Sequence, residues 1–293
     1  VKRRTFLRSA AAGSLALAPA GQVLAALAPD NRYRKNIGLQ LYTLRDPLGK
    51  NAAGTLQAVA AAGYQQVEMY GFPNCQPQID AAKAAGLAMH SSHFEWASVT
   101  QPKDDAMSDF RKIVEQAKAT GLSHLVIPYL HDNERRTLDD YKKLAANANK
   151  AAGIAKAAGI QLAYHNHAFE FQPKEGGRTG YDVLMEEFSA DMKFEIDVFW
   201  VKVANIDPAG LIAKLSGRVS QLHLKDLKEG LKLPEFGSLP QDAFKELGNG
   251  IIPMEPLLAA AEKSGVEHCH VEQDHSPDPM ASIKQSMAYL GKL

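Results

Sequence analysis

"IAKAAGIQLAYHNH", residues 154–167, reads as the end of a helix, a glycine and a buried strand, in that order. The Ala- and Lys-rich segment has helical spacing and stops at Gly159, whose tolerance of left-handed backbone suits a helix C-terminus. A short run rich in Ile, Leu and Tyr follows, which fits a parallel strand covered on its outer side. The pattern recurs along the chain as "AVAAAGYQQVEMY", "AAKAAGLAMHSSH", "QAKATGLSHLVIP" and "AAEKSGVEHCHVE". Strands are expected at residues 37–41, 66–69, 87–93, 124–127, 160–167, 193–197, 219–225 and 267–272, each with a helix candidate after it. Eight such units in one stretch of this length match a single α/β domain, a (β/α)8 TIM barrel, over residues 36–291. A doubly wound open sheet would carry a Gly-rich phosphate turn after its first strand, and "LQLYTLRDP" is not one. The longest irregular stretch, Asp226 to Gly250, is expected to be a long loop over the barrel mouth.

The whole chain has 293 residues, with 33 basic and 33 acidic side chains, and so no net formal charge. That balance, without a basic stripe after the first 40 residues, argues against nucleic acid as a partner. Two cysteines without a CxxC pair suggest neither a disulfide framework nor a structural zinc.

Residues 1–28 are set apart from the fold. Arg3 and Arg4 followed by Thr5, Phe6 and Leu7, then an Ala/Leu/Gly stretch and small residues, resemble a twin-arginine export signal. The apolar stretch is broken by Gly13, Pro19 and Gly21, so no stable membrane anchor is expected. Cleavage is expected between Ala25 and Ala28. The resemblance implies the twin-arginine export machinery as a partner, a periplasmic destination, and metal loading in the cytoplasm before export.

In a barrel of this kind the active site lies at the C-terminal ends of the strands, so ionisable residues should gather there with apolar residues before them. The strand ends offer Gln40 and Tyr42, Glu68, His90 and His93, then His165, His167 and Glu170 in "YHNHAFEF". They continue with Asp197 in "FEIDVFW", His223 and Lys225 in "LHLKD", and Glu272 in "HVEQD". A lone His at a strand end is more often a hydrogen-bonded rim residue than a ligand, and a lone carboxylate is often a helix N-cap. Asp197 lacks that second explanation, because Asp207 before Pro208 is the better cap. Alternation puts His268, His270 and Glu272 on one face. Glu272 reads as a ligand there, and His124 and His268 read as structural. Asp274 reads as a turn residue. Carboxylates and imidazoles without thiolate suit one divalent ion such as Mn²⁺, Mg²⁺, Co²⁺ or Zn²⁺.

These segments, with "GLQLYTLRD", "VEMYG" and "ELGNGIIP", resemble the xylose-isomerase-like TIM-barrel family, the sugar phosphate isomerases/epimerases. The resemblance covers residues 36–291. It implies one divalent metal held by Glu, Asp, His and Glu from the last four barrel strands, with Asp197, His223 and Glu272 matching three of them. The fourth falls on Ala163, which leaves Glu170 as the expected ligand, with His167 next. His165 or His167 is then expected as the base, and Lys225 as the cation beside the reacting oxygens. Gln40, Tyr42, Glu68, His93 and Trp200 are expected to contact substrate.

The implied activity is isomerisation or epimerisation of a small-molecule carbohydrate by proton abstraction next to a carbonyl, through an enediolate. The same intermediate would serve a lyase or hydrolase acting on keto-glycosides. A repair nuclease on this barrel would need more ligands and a basic face. A non-catalytic periplasmic sugar-binding protein would use Tyr42, Trp96, Phe199 and Trp200 as stacking platforms. Assembly as a homo-oligomer is left open. The export reading predicts that replacing Arg3 and Arg4 together by Lys retains the protein in the cytoplasm; undiminished periplasmic accumulation of that variant, measured by fractionation, would refute it.

Overall fold

In the computed structural model, residues 31–34 and 36–293 are described. The segment read as a twin-arginine signal, and the cleavage expected in it, lie outside the described residues. Eight parallel strands close a barrel: β1 (Ile37–Gln40), β2 (Gln66–Phe72), β3 (Ala88–Phe94), β4 (His124–Ile127), β5 (Gln161–His165), β6 (Met192–Asp197), β7 (Val219–Leu224) and β10 (His268–Val271). Around the ring the order is β1-β10-β7-β6-β5-β4-β3-β2. The helix–glycine–strand reading therefore locates every barrel strand to within two residues at either end, except β2, which runs three residues further to Phe72. Gly159, which ends the helix Leu138–Ala157 before β5, has φ 80°, a conformation that a Cβ would strain.

The outward faces of the strands carry the apolar core. Leu39, Val67, Leu125, Leu162, Phe194, Ile196, Leu222 and Val271 are buried between the sheet and the helical layer. The inward faces are a different matter. The expected apolar residues beneath the ionisable strand ends are not there: Gln66, Glu68, Ser91, Glu195, Gln221 and His270 are all fully buried and polar. Register explains this. Parallel pairing sets Glu195 beside Gln221, Asp197 beside His223, His223 beside His270, and Gln40 beside Glu68. Each strand thus contributes polar residues at successive inward positions, where barrels commonly stack branched apolar side chains. Cys75 and Cys269 are buried free thiols.

The long segment after β7 crosses the barrel mouth as expected. It is pinned by a short antiparallel pair, β8 (Asp226–Leu227) with β9 (Phe244–Lys245). Asp226 fixes both ends of the crossing. Its Oδ1 accepts from the amides of Leu227 and Ile252, and its Oδ2 from those of Gly248 and Gly250, all at 2.9 Å. A Cβ on Gly250 would lie 2.3 Å from the Leu227 carbonyl oxygen, so the turn closes on Asp226 only with glycine there. Asp226→Ala leaves four amides short of an acceptor, and we expect it to cost at least about 2 kcal/mol. Urea denaturation measures that loss, with no change expected in the barrel's far-UV dichroism.

Candidate active site and metal centre

The C-terminal ends of β6, β7 and β10 bring three donor atoms together. Asp197, His223 and Glu272 each offer a donor atom within 4.8 Å of the others, and all three residues are buried. Among the described residues Asp197 Oδ2, His223 Nδ1 and Glu272 Oε2 make no aligned hydrogen bond. His223 Nδ1 and Glu272 Oε2 are 2.7 Å apart but off hydrogen-bonding alignment. Asp197 keeps its other oxygen for the helix that follows β6, accepting from the amides of Phe199 and Trp200 at 2.9 and 3.1 Å. It is therefore a helix cap after all, and the capping leaves Oδ2 free to face the barrel axis. Lys225 Nζ lies 2.9 Å from Asp197 Oδ2 and 2.7 Å from Glu272 Oε2, while its aligned hydrogen bonds go to both oxygens of Asp274. An ammonium at this position shows that the oxygens enclose a place for positive charge. Burial opposes its charge, but Asp197, Asp274 and Glu272 outweigh burial and hold its pKa well above the usual lysine value.

Beneath this set lies a layer that is internally satisfied. Glu195 accepts from Gln221 at 3.1 Å and pairs with His93 and His165 at 2.9 and 3.1 Å. Burial alone would raise its pKa, yet the surrounding imidazoles hold it well below the usual range. His223 Nε2 lies 2.7 Å from Glu68 Oε1, which also accepts from Gln40, and Ser91 donates to Glu68 Oε2. His93, His165, Glu195 and His223 are close enough to hold an ion as well. Their carboxylate is already committed to aligned hydrogen bonds from three partners, whereas Asp197 Oδ2 and Glu272 Oε2 meet a cation, Lys225, without an aligned hydrogen bond. The set that already faces a positive charge is the better candidate.

Above the floor opens a cavity of about 570 Å³. Its walls carry Tyr42, Tyr70, Trp96, Tyr129, Trp200 and Phe244, and the crossing loop supplies Gly237 to Leu239. His167 also lines it, and His165, His93, Lys225 and Glu272 face it from below. The indole N–H groups of Trp96 and Trp200 have no acceptor among the described residues. His167 stacks on Phe169 and meets Tyr129 edge-on. Burial depresses its pKa well below the usual histidine value, with His165 and Lys225 adding to the effect, which keeps the ring neutral.

Residues 56–293 match the family described as xylose isomerase-like TIM barrel. The chain belongs to that family. As a xylose isomerase-like barrel it resembles the inosose dehydratase of Clostridium perfringens at 26% identity over 149 residues, 47% of this chain and 49% of that protein. It spans about half the length of the curated relatives it matches. A sugar phosphate isomerase/epimerase from Parabacteroides distasonis ATCC 8503 superposes with TM-score 0.70 at 26% identity, covering 88% of this chain and 98% of the other. An IOLI protein with a bound zinc atom shares the fold, with TM-score 0.64 at 14% identity over 88% and 95% of the two chains.

Against this family frame several expected residues fall elsewhere. Glu170 is not with the other ligand candidates. The 3-10 turn Phe169–Phe171 carries it to the outer side of β5, where it accepts from the Tyr164 hydroxyl at 2.7 Å and the His167 amide at 2.8 Å. His167 stands on the cavity wall, and the β5 nitrogen nearest the ligand set is His165 Nε2, 3.7 Å from Asp197 Oδ2. Gln40 and Glu68 are wholly buried supports rather than cavity residues, since the layer above covers them. His90 sits at the opposite end of β3, stacked on His268. Phe199 is buried against Phe244 and is no platform. Asp274 is more than a turn residue, because it partners Lys225. Tyr42, His93 and Trp200 do line the cavity. Glu195 went unread, although it stands two positions before Asp197 and so shares its face.

Burial pushes the Glu170 carboxyl up to about 7, against its hydrogen bonds, which pull the other way. A raised carboxyl pKa means that the folded chain binds the proton more tightly than the unfolded one. Its stability contribution is greatest below the unfolded value near 4.5 and is lost as pH rises through 7. Denaturation at pH 5 and pH 8 should therefore show a larger loss of stability for the wild type than for Glu170→Gln.

Proposed function

We propose that this chain is a divalent-metal-dependent enzyme that removes a proton next to the carbonyl of a carbohydrate and returns it at the same or the neighbouring carbon, as an isomerase or epimerase. The observation that carries this reading is the convergence of buried Asp197, His223 and Glu272 around one place for positive charge, with no aligned hydrogen bond at Asp197 Oδ2, His223 Nδ1 or Glu272 Oε2 among the described residues, at the floor of an aromatic-walled cavity. Two carboxylates and an imidazole are a donor set for Mn²⁺, Mg²⁺, Co²⁺ or Zn²⁺. His165 Nε2 is the fourth donor in this reading, because its Nδ1 is engaged with Glu195. A bound ion would polarise the substrate carbonyl and stabilise negative charge on its oxygen.

The chain's own residues divide the remaining work. The faces of Trp200 and Tyr42 pack against the sugar ring, and the indole N–H groups of Trp96 and Trp200 donate to its hydroxyls. The neutral ring of His167 takes the proton from carbon. The C–H electron pair becomes the C=C bond of the enediolate, charge passes to the carbonyl oxygen, and Lys225 faces that charge as a fixed cation. The imidazolium of His167 then gives the proton to the neighbouring carbon while the hydroxyl proton passes between the two oxygens, which is isomerisation; epimerisation requires a second acid to protonate the first carbon from its opposite face. Export would place the enzyme where phosphorylated sugars are scarce, so the reading favours an unphosphorylated substrate in the periplasm.

A second reading, β-elimination from a keto-sugar or keto-glycoside, is favoured by the similarity to inosose dehydratase. It shares the proton abstraction and differs only in the fate of the electron pair, which expels a leaving group from the next carbon.

Metal analysis joined to NMR of keto-sugars in D₂O tests the proposal. Asp197→Ala, His223→Ala and Glu272→Ala should each lose metal and turnover, and full occupancy in two of them sinks the site. His167→Asn and Lys225→Met should keep the metal, with Lys225→Met lowering kcat/KM by about 10²-fold or more. Deuterium entering one carbon identifies the proton removed, and sugar affinity that survives EDTA with no exchange at any carbon would instead mark a binding protein.

A further inference from the structure

The opposite, N-terminal end of the barrel holds a second group of donors that the proposed reaction does not use. His124 on β4, His268 at the start of β10 and Glu267 just before it offer two ring nitrogens and a carboxylate oxygen within 4.8 Å of one another. In the ring of strands β4 and β10 stand four places apart, directly across the barrel.

The Ser123 hydroxyl lies 3.2 Å from the His90 carbonyl oxygen, to which it can donate, and 2.9 Å from His124 Nδ1. With its proton on that carbonyl, its oxygen accepts from Nδ1–H, and neutral His124 presents a lone pair at Nε2. That nitrogen is buried, has no hydrogen-bond partner among the described residues, and lies 3.8 Å from Glu267 Oε2. Two acceptor atoms thus face each other across a gap too long for a hydrogen bond. Ligand atoms bound at about 2.0–2.1 Å to one zinc ion stand roughly 3.3–4 Å apart. His268 Nδ1 is likewise buried and unpartnered among the described residues. The ring of His268 is held by stacking on His90, with centroids 4.7 Å apart and planes 14° from parallel. Imidazole orientation is thus set from outside the group, by Ser123 for one ligand and His90 for the other. A groove of about 470 Å³ lined by Ser123, His124, Gln161 and Glu267 opens the place to solvent, giving an ion its entry and water its remaining coordination positions.

We propose that His124, Glu267 and His268 form a second metal site, selective for Zn²⁺ or a similar nitrogen-seeking ion, that clamps opposite strands at the floor of the barrel. Its role is structural, since it lies at the end remote from Asp197, His223 and Glu272. The site stands independently of the proposed reaction.

The test uses the untagged full chain, stripped with EDTA and dialysed against zinc chloride. Asp197→Ala with Glu272→Gln disables the upper set, so the fate of the catalytic proposal does not affect the result; zinc held by the inner His93–His165–Glu195–His223 group is told apart because the lower-site changes leave that group intact. That variant should retain one zinc per chain and melt at a higher temperature with zinc than without. Adding His124→Gln or His268→Gln should abolish both effects. Because a buried histidine variant can fail to fold, Glu267→Gln supplies a second arm. Glu267 is solvent-exposed, so this change leaves the fold intact, and it should weaken zinc affinity about 10-fold or more. No zinc in the upper-site variant, or zinc affinity unchanged by Glu267→Gln in that background, would overturn the proposal.

Discussion

The His223 imidazole stands between two carboxylates, Glu68 on its Nε2 side and Glu272 on its Nδ1 side, and its side chain is wholly buried. Taking an imidazolium and its carboxylates out of water is costly unless each charge is answered nearby. The barrel interior supplies those answers in layers. Glu195 shares its charge among three imidazoles, Glu68 is steadied by Gln40 and Ser91, and Lys225 bridges Asp197, Glu272 and Asp274. Burial would lower the His223 pKa, and Glu195 with Glu272 reverse that and hold it well above the usual histidine value. With Asp274 included, five carboxylates face Lys225 and His223 as the nearby cations, so the interior carries an excess of negative charge. A cation bound there would offset that excess, and its binding at His223 Nδ1 would release the imidazole proton.

The same balance accounts for the polar interior. An apolar barrel core would stabilise the fold at less cost, because buried ion pairs contribute little net stability. Stability here is carried by the outer shell, where Leu39, Val67, Phe194, Ile196 and their neighbours pack on the helices. The inner layer holds each ligand from behind. Glu68 fixes the orientation of His223, and Glu195 does the same for His165, so their outward nitrogens point at one place. A donor set positioned in this way needs little rearrangement when charge develops on a substrate.

How far the sequence could be read follows from what each signal depends on. Strands and helices were legible because helical spacing, a glycine stop and an apolar run are local features, and all eight barrel strands follow from them. Asp197, His223 and Glu272 were legible because a strand end fixes where the next inward residue points. Glu170 was not. Three residues of 3-10 turn separate it from β5, and the turn carries the side chain to the outer face beside Tyr164. Phe199 fails for the same reason: it lies in the helix after β6, whose start on Asp197 sends alternate residues to opposite sides. Glu195 and Gln221 were legible in principle by counting back two from Asp197 and His223. Asp274 was not, since its partner Lys225 is remote in sequence and only strand order brings the two together.

Within the proposed reading, the division between floor and wall bears on which reaction follows proton removal. Asp197, His223, Glu272 and Lys225 act on the carbonyl side of the substrate, and their task is the same whether the proton returns or a leaving group departs. The outcome is set at the adjacent carbon, on the cavity wall, where His167, Trp96, Trp200 and the crossing loop Gly237–Leu239 lie. A wall that keeps the imidazolium of His167 against carbon favours return of the proton. One that aligns a carbon–oxygen bond with the enediolate π system and offers that oxygen a donor favours elimination. The wall comes from turns and from a loop anchored on Asp226, so it can change without disturbing the buried charge network. One barrel frame can thereby carry different reactions, and the proteins this chain resembles include a dehydratase and a sugar phosphate isomerase/epimerase.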